Sequence, residues 1–385
     1  MRYFSTNNVG VKIQKQCCAG TRVDLWSENE VNMYNLQRII KTQDTKNIPV
    51  QNKYNSPDGW EMEYLTFPGL TKTGCVRHLF TTRTGGTSSG IFESLNLSFT
   101  RGDDRDCVLQ NYDRVAEVLG VTRDRIVCSD QTHTTNIRIV TKEDAGKGID
   151  RQRDYADIDG LITNEKGLAL VTFYADCVPL YFVDPVREVI GLAHSGWRGT
   201  VAGMGKKMVE RMHAAFGCDP ADIHAAIGPS ICQECYEVSS DVAEEFQKAF
   251  AGMNGTETLL YQKPEQKAEG KYQLDLWLAN QLWLTDAGIT PEHLEVTNVC
   301  TAHNPAYLFS HRKTNGKRGN LGAFLCLKEN GTAGSRNTDK GTESSGKGNP
   351  DGNRQCSQGG HLGRHLRRAW CGYFPDKFFH QDGNW

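Results

Sequence analysis

An α/β fold (α+β in arrangement) of mixed, largely antiparallel β-sheets sandwiched by helices is what this sequence predicts. Strand and helix signals alternate densely from Met62 to Lys328. Within that region, residues 177–194 (CVPLYFVDPVREVIGLAH) read as two strands joined by a tight turn at Asp184-Pro185-Val186-Arg187, with Pro where a type I turn accepts it. Such a pair is antiparallel, and close neighbours of this kind fit a mixed sheet better than a doubly wound parallel one. Val108, Tyr112, Val115 and Leu119 in one helical stretch and Leu276, Ala279 and Trp283 in another face inward, as in helices lying on the outside of a sheet. No internal repeat is evident.

Residues 1–60 read as an N-terminal extension with few apolar runs; its one helix signal is Glu28–Lys41, with Val31, Tyr34, Leu36, Ile39 and Ile40 as a loose apolar face. Residues 61–328 form the catalytic region. Asp106–Leu119 is predicted helical, capped by Asp103 or Asp104, with Val108, Tyr112, Val115 and Leu119 as its stripe. Leu161–Ile162 and Leu168–Phe173 are strands flanking the Asn164–Gly167 turn, and the strand pair around Asp184–Arg187 follows. Thr200–Phe216 is a helix closed by Gly217. Ile223–Ile227 is a buried strand, Val242–Phe250 and Leu274–Ala287 are helices, and Leu294–Cys300 and Tyr307–Ser310 are strands. Residues 329–385 begin with a Gly-, Ser-, Asn- and Thr-rich stretch that has almost nothing to bury, a linker or disordered tail, and end in the basic, aromatic HLGRHLRRAWCGYFPDKFFHQDGNW.

The composition narrows the function classes. Hydrophobic residues make up 38% of the 385 and charged residues 23%, enough for a packed core, and the mean hydropathy of -0.54 reflects the polar ends. A net charge of -2 offers no broad attraction for nucleic acid or an acidic membrane. MRYFSTNNVG lacks the apolar stretch of a secretory signal, and no apolar run reaches the roughly 20 residues of a spanning helix. The thirteen cysteines, an odd number, are therefore expected to be free thiols in a reducing cytoplasm.

Cys177 and His194 lie equally far from the midpoint of the Asp184–Arg187 turn. In a bulge-free hairpin they would face each other with Cβ atoms roughly 4.5–5.5 Å apart. A thiol beside an imidazole suits a metal pair or a nucleophile–base pair. His133 in SDQTHTTNI is the third ligand-type residue, and all three sit at predicted strand ends beside small or polar residues. Two imidazoles and a thiolate leave a tetrahedral Zn²⁺ one open position, the arrangement of a catalytic site. HSGWRGT (194–200) joins a strand end to a helix start, where free amides attract phosphate; Arg198 adds charge and Trp197 a stacking surface. TTRTGGTSSG (81–90), led by Arg83, and the basic turn HRKTNGKRGN (311–320), with Arg312, are further anion candidates. Cys232-Gln233-Glu234-Cys235 is a C-x-x-C without a second such pair at finger spacing, and reads as structural cysteines near the Gly228-Pro229 turn.

Taken together, LFTTRTGGTSSGIFESLNLSF followed by GDD, DQTHTTNI, DIDGLIT, YADCVPLYF, AHSGWRGT, AAIGPSICQECYEV and SHRKTNGKRGNLGAF resemble, in order, the YfiH/YlmD family of purine nucleoside phosphorylases, also called laccase-domain or multicopper polyphenol oxidoreductase proteins. The resemblance covers residues 61–328. It implies mixed sheets sandwiched by helices, distantly similar to cytotoxic necrotising factor catalytic domains, and a zinc site of His133, Cys177 and His194. It further implies phosphorolysis of adenosine, inosine, guanosine and methylthioadenosine, with deamination of adenosine. Copper is the other candidate metal, but one three-ligand site does not make the several copper centres of a laccase. Cys232 stands where the family commonly has a small residue.

On this reading Arg83, Arg198 and the helix start after Thr200 hold inorganic phosphate, and Asp176 is either a proton shuttle or a group that orients a ligand. A metal-free hydrolase with Cys177 as nucleophile and His194 as base, a copper-dependent polyphenol oxidase, and a non-catalytic metal-binding scaffold are the alternatives.

Overall fold

The structure is a computed structural model that describes residues 36–39 and 48–329. One six-stranded sheet runs, edge to edge, Val50–Asn55, Glu61–Thr66, Val76–Thr81, Leu321–Leu327, Ala169–Tyr174 and Ile126–Cys128. Its neighbours are antiparallel except at the Ile126–Cys128 edge. The second runs Leu294–Val296, His224–Ile227, Val178–Asp184, Val189–Ser195, Gly160–Thr163 and Ile137–Ile139, antiparallel inside and parallel at both edges. A three-stranded sheet of Glu237–Ser239, Lys271–Leu274 and Leu260–Tyr261 lies apart from these.

The two large sheets pack face to face between helices. Side chains alternate across a strand, so a strand buried on both faces reads as an unbroken apolar run. Val178–Asp184 is buried along its whole length. Tyr181 and Val183 enter the core between the sheets, with Leu170, Phe80, Ala323 and Leu325 from the facing sheet. Leu180 and Phe182 point the other way, onto Met204, Met208 and Met212 of the Met204–Phe216 helix and Leu276 and Leu284 of the Leu276–Asp286 helix. On the far side of the first sheet, Phe324, Cys326 and Val171 meet Val108, Tyr112, Val115 and Leu119 of the Arg105–Leu119 helix. That helix starts where expected: the Asp104 carboxylate accepts from the amides of Asp106 at 2.8 Å and Cys107 at 3.2 Å. No helix among the described residues is long and apolar enough to cross a membrane.

Several elements differ from expectation. The expected Thr200–Phe216 helix is a short Trp197–Val201 turn and a separate Met204–Phe216 helix, broken at Gly203 with φ 74°. The helix start expected at Thr200 falls instead at Trp197, where the Thr200 amide already donates to Gly196 O at 2.8 Å, and again at Met204. Gly160–Thr163 and Ala169–Tyr174 flank one turn but belong to different sheets, so the chain crosses between layers there. Tyr307–Ser310 is not a strand. Its buried apolar side chains fill the core between the sheets, while the amides of Tyr307 and Leu308 turn back to Asn304 O.

Leu36–Ile39, inside the expected Glu28–Lys41 helix, is extended: Arg38 bridges to Val299 and the Ile39 amide donates to Asn298 O at 2.8 Å. The rest of that segment, Cys17-Cys18 and the tail from residue 330 lie outside the described residues. The first sheet already includes Val50–Asn55, ahead of the boundary expected at residue 61.

The Cys177–His194 hairpin is displaced in register. Asp184 pairs with Val189 and Pro179, not Cys177, stands opposite His194. The loop is longer than a two-residue turn. The Asp184 carboxylate accepts from the amides of Val186 and Arg187, both at 2.9 Å, and Glu188 takes φ 52° before pairing resumes. The slip is by two residues, one full side-chain period, so Cys177 and His194 remain on one face as diagonal neighbours.

Candidate metal centre

Three chain segments meet at one end of the second sheet. His194 comes from the Val189–Ser195 strand, where its amide donates to Asp159 O at 2.8 Å. Cys177 ends the crossing that leaves the first sheet after Tyr174 and enters the second at Val178. His133 lies in the loop between the Ile126–Cys128 and Ile137–Ile139 strands. Two non-glycine residues here take left-handed backbone angles, His133 at φ 65° and Asp176 at φ 103°. Each such conformation costs about 1–3 kcal/mol and persists where the surroundings over-determine it.

The surroundings do so through two buried carboxylates. Asp159 accepts from the amides of Thr132 and His133 at 3.2 Å and of Thr134 at 2.9 Å, which fixes the His133 loop. The same carboxylate stands 2.8 Å from His194 Nδ1. That contact places the ring proton on Nδ1 and turns Nε2 toward Cys177, the carboxylate–histidine pairing typical of metal ligands. Asp176 accepts from Thr301 Oγ1 at 2.6 Å on one oxygen and from the Arg312 amide at 2.7 Å on the other. Both oxygens of Asp176 are thus engaged beside Cys177, an arrangement compatible with orienting a ligand, one of the two roles expected for it. Asp159 is a residue that sequence reasoning missed: within DIDGLIT, nothing sets it apart from an ordinary loop acid.

The Cys177 thiol is 4.0 Å from His133 Nε2, and one ligand atom from each of His133, Cys177 and His194 lies within 4.8 Å of the others. The rings of His133 and His194 meet edge-on, centroids 4.9 Å apart. Burial alone would push the Cys177 thiol up; the His194 charge and the hydrogen bonds of His133 and His194 more than reverse it, to about 6. Burial likewise opposes charge on His194, but Cys177 and Asp159 hold it up at about 9. The donors are thus a thiolate and two imidazoles, one imidazole oriented by a carboxylate. Zn–S of about 2.3 Å and Zn–N of about 2.0–2.1 Å fit within this spacing, and His133 and Cys177 are only half-buried, which leaves an approach for substrate.

Gly196 closes the ring of contacts. A Cβ there would lie 2.8 Å from His133 Cδ2 and 3.3 Å from Cys177 Sγ, although its backbone angles suit any residue. Gly196→Ala should leave the thermal midpoint near that of the unmodified protein yet weaken divalent-metal binding about 10–100-fold, as displaced ligands do. Metal titration followed by competition with a chromogenic chelator measures this.

The remaining expected residues divide. Arg198 is exposed and stacks 4.3 Å over the Trp197 ring, and both it and Arg312 lie within electrostatic reach of Tyr236 beside Cys177. Arg312 donates both terminal nitrogens to Glu237 O at 3.1 Å. Arg83 spends its guanidinium on two carbonyls, Glu93 O at 2.7 Å and Pro305 O at 2.9 Å, over the Phe309 ring. A group absent from the expected set is Arg318, with Arg101 and His311. Arg318 is 7% exposed, feels the charges of Asp176 and Cys177, and has a buried Nε with no hydrogen-bond partner. Burial and the charges of Arg318, Arg101 and Arg312 hold His311 down at about 4. Three arginines thus lie within electrostatic reach of one imidazole, and one of them, Arg318, also within reach of Asp176 and Cys177.

A helix–sheet–sheet–helix protein with a candidate His–Cys–His metal centre is the class that these features define. Residues 77–328 match the family described as multi-copper polyphenol oxidoreductase laccase, and the chain belongs to that family. The purine nucleoside phosphorylase YlmD of Bacillus subtilis is 39% identical over 254 residues, 65% of this chain and 88% of that protein. A protein named adenosine deaminase RL5, from an unknown prokaryotic organism, is 33% identical over 66% of this chain and 94% of its own length. The crystal structure of YlmD from Geobacillus stearothermophilus superposes with a TM-score of 0.63 at 37% identity, covering 69% of this chain and 96% of that one. The mixed α/β architecture expected from the sequence is therefore shared with solved relatives.

Proposed function

We propose that this chain is a zinc-dependent purine nucleoside phosphorylase that also deaminates adenosine, and that His133, Cys177 and His194 hold the metal. The observation that carries the reading is the convergence of those three ligand atoms, with Asp159 behind His194. Adenosine, inosine, guanosine and methylthioadenosine are the substrates, with inorganic phosphate as the second. The names of the relatives above support the reaction class.

Held by His133, Cys177 and His194, zinc would supply Lewis-acid polarisation. The protein's own groups do the rest. Arg318, Arg101 and Arg312 offer positive charge for phosphate beside the ribose; Arg198, stacked on Trp197, flanks the same site from the His194 loop. Asp159 holds His194 in one tautomer, and Asp176 holds Cys177 at its strained turn. Copper is set aside on the count of centres and not on the donor set: one three-ligand site does not make the several copper centres of a laccase.

A second reading has its own observation. Cys177, His194 and Asp159 also stand in the order of a thiolate–imidazole–carboxylate triad, with the thiol lowered to about 6. Such a triad has no use for His133, whose Nε2 is directed at the same sulfur. Metal-quantified protein incubated anaerobically with adenosine, with and without phosphate, separates the outcomes by chromatography. Ribose 1-phosphate and adenine are expected with phosphate, and inosine without it. Neither product, or rapid iodoacetamide labelling of Cys177 in zinc-loaded protein, would overturn the zinc reading.

A further inference from the structure

A second group of metal-type side chains lies outside the centre just described. The C-x-x-C of Cys232 and Cys235 forms a tight turn, with the Cys235 amide donating to Cys232 O at 3.1 Å. Cys300-Thr301-Ala302-His303 is a C-x-x-H on the neighbouring segment. The parallel pairing of His224–Ile227 with Leu294–Val296 continues as a bridge between Ser230 and Cys300, and delivers the two turns side by side. Across the gap, Cys235 Sγ is 3.3 Å from His303 Nε2 and Cys232 Sγ is 3.8 Å from His303 Nδ1. The Cys232 amide points at Cys300 Sγ, 3.3 Å away. One ligand atom from each of the four residues lies within 4.8 Å of the others.

We propose that Cys232, Cys235, Cys300 and His303 bind a structural Zn²⁺, closed by four protein ligands and separate from the catalytic centre. Three sulfurs and one nitrogen are a standard tetrahedral zinc set. With Zn–S near 2.3 Å and Zn–N near 2.0–2.1 Å, the edges of such a tetrahedron are about 3.5–3.8 Å. The 3.3 Å from Cys235 Sγ to His303 Nε2 is already close to such an edge, and with one ligand atom from each residue within 4.8 Å of the others, side-chain rotations bring the remaining edges to it. The spacing suits one ion; an iron–sulfur cluster would hold its ligands farther apart. Cys232 and Cys300 are buried at 2% and 0% exposure, Cys235 and His303 are half-buried, and four protein ligands leave the ion no open corner for substrate.

The location links the ion to the catalytic thiol. The Ile231 amide donates to Asp176 O at 2.9 Å, and Thr301 Oγ1 donates to the Asp176 carboxylate. Each segment that carries two ligands thus also grips Asp176, the residue before Cys177. Tying the segments together fixes the strained backbone on which that thiol depends, while the ion itself touches no substrate.

The test uses the full chain, kept reduced, with Cys177→Ala as the background to remove the thiolate of the first centre. After zinc loading and dialysis, one tightly held equivalent is expected. Cys235→Ser or His303→Ala should release it. Cobalt in place of zinc should give a sulfur-to-metal charge-transfer band that weakens with each Cys→Ser change. Because a variant could fail to fold, the Cys177→Ala protein is also stripped with a chelator; its thermal midpoint should fall and recover on adding zinc. No tight equivalent in that background, retention of zinc by folded Cys235→Ser, or a Cys232–Cys235 disulfide detected by intact mass would each overturn the proposal.

Discussion

Cys177→Ala is expected to lower both phosphorolysis and deamination by at least about 10²–10⁴-fold, the range over which loss of a directly participating group acts. On the zinc reading the thiolate is the one anionic ligand among three. Without it, two neutral imidazoles would have to hold a dication at a half-buried site, and His194 would lose the charge that, with Asp159, keeps it protonated in the metal-free protein. The core should tolerate the change. Cys177 sits at the mouth of the Val178–Asp184 strand and is only partly packed against the core between the sheets. Unchanged circular dichroism with a loss of one zinc equivalent, while the Cys232 cluster keeps its own, is the outcome that fits. Activity retained in metal-depleted Cys177→Ala would exclude both the zinc centre and the thiolate triad.

That Cys177 and His194 belong together was legible in the sequence, because a hairpin is a local structure and its turn carries Pro and Asp. The register was not. Whether the chain turns over two residues or four depends on the Asp184 side chain accepting two amides and on Glu188 taking a left-handed angle, neither of which composition reports. The error did no harm to the site, since a shift by two keeps a side chain on its face. The helices were readable for the same local reason: Asp104 and Gly217 mark ends, and the stripe of Val108, Tyr112, Val115 and Leu119 repeats at helical spacing.

What escaped is what depends on contacts distant in the chain. Leu321–Leu327, the strand that joins the first sheet between Val76–Thr81 and Ala169–Tyr174, is apolar on both faces and shows no alternation. Tyr307–Ser310 has the composition of a strand, but its amides are spent on a turn at Asn304. Asp159 shows its importance only when the fold sets it against His194 and three amides of the His133 loop. The C-x-x-C of Cys232 and Cys235 meets the C-x-x-H of Cys300 and His303, far downstream, only through parallel pairing.

Arg318→Met should separate the two activities. Phosphorolysis needs an anion bound beside the ribose, whereas deamination needs none, so a residue that serves the anion alone should matter to one reaction only. Arg318 is well placed to serve it, being buried, repelled by Arg101, drawn by the charges of Asp176 and Cys177, and left with an unpartnered Nε. A charge-assisted hydrogen bond contributes about 1.5–3 kcal/mol, which corresponds to a KM for phosphate raised about 10–100-fold. The methionine fills a similar volume, and exchanging a buried charge for a packed apolar chain is often neutral or stabilising. Adenosine deamination measured without phosphate should then stay within about twofold of the unmodified enzyme, the span of a change that leaves the transition state untouched. Equal losses in both reactions would mean that Arg318 supports the Cys177 loop as a whole, and the anion would have to be sought nearer Arg198.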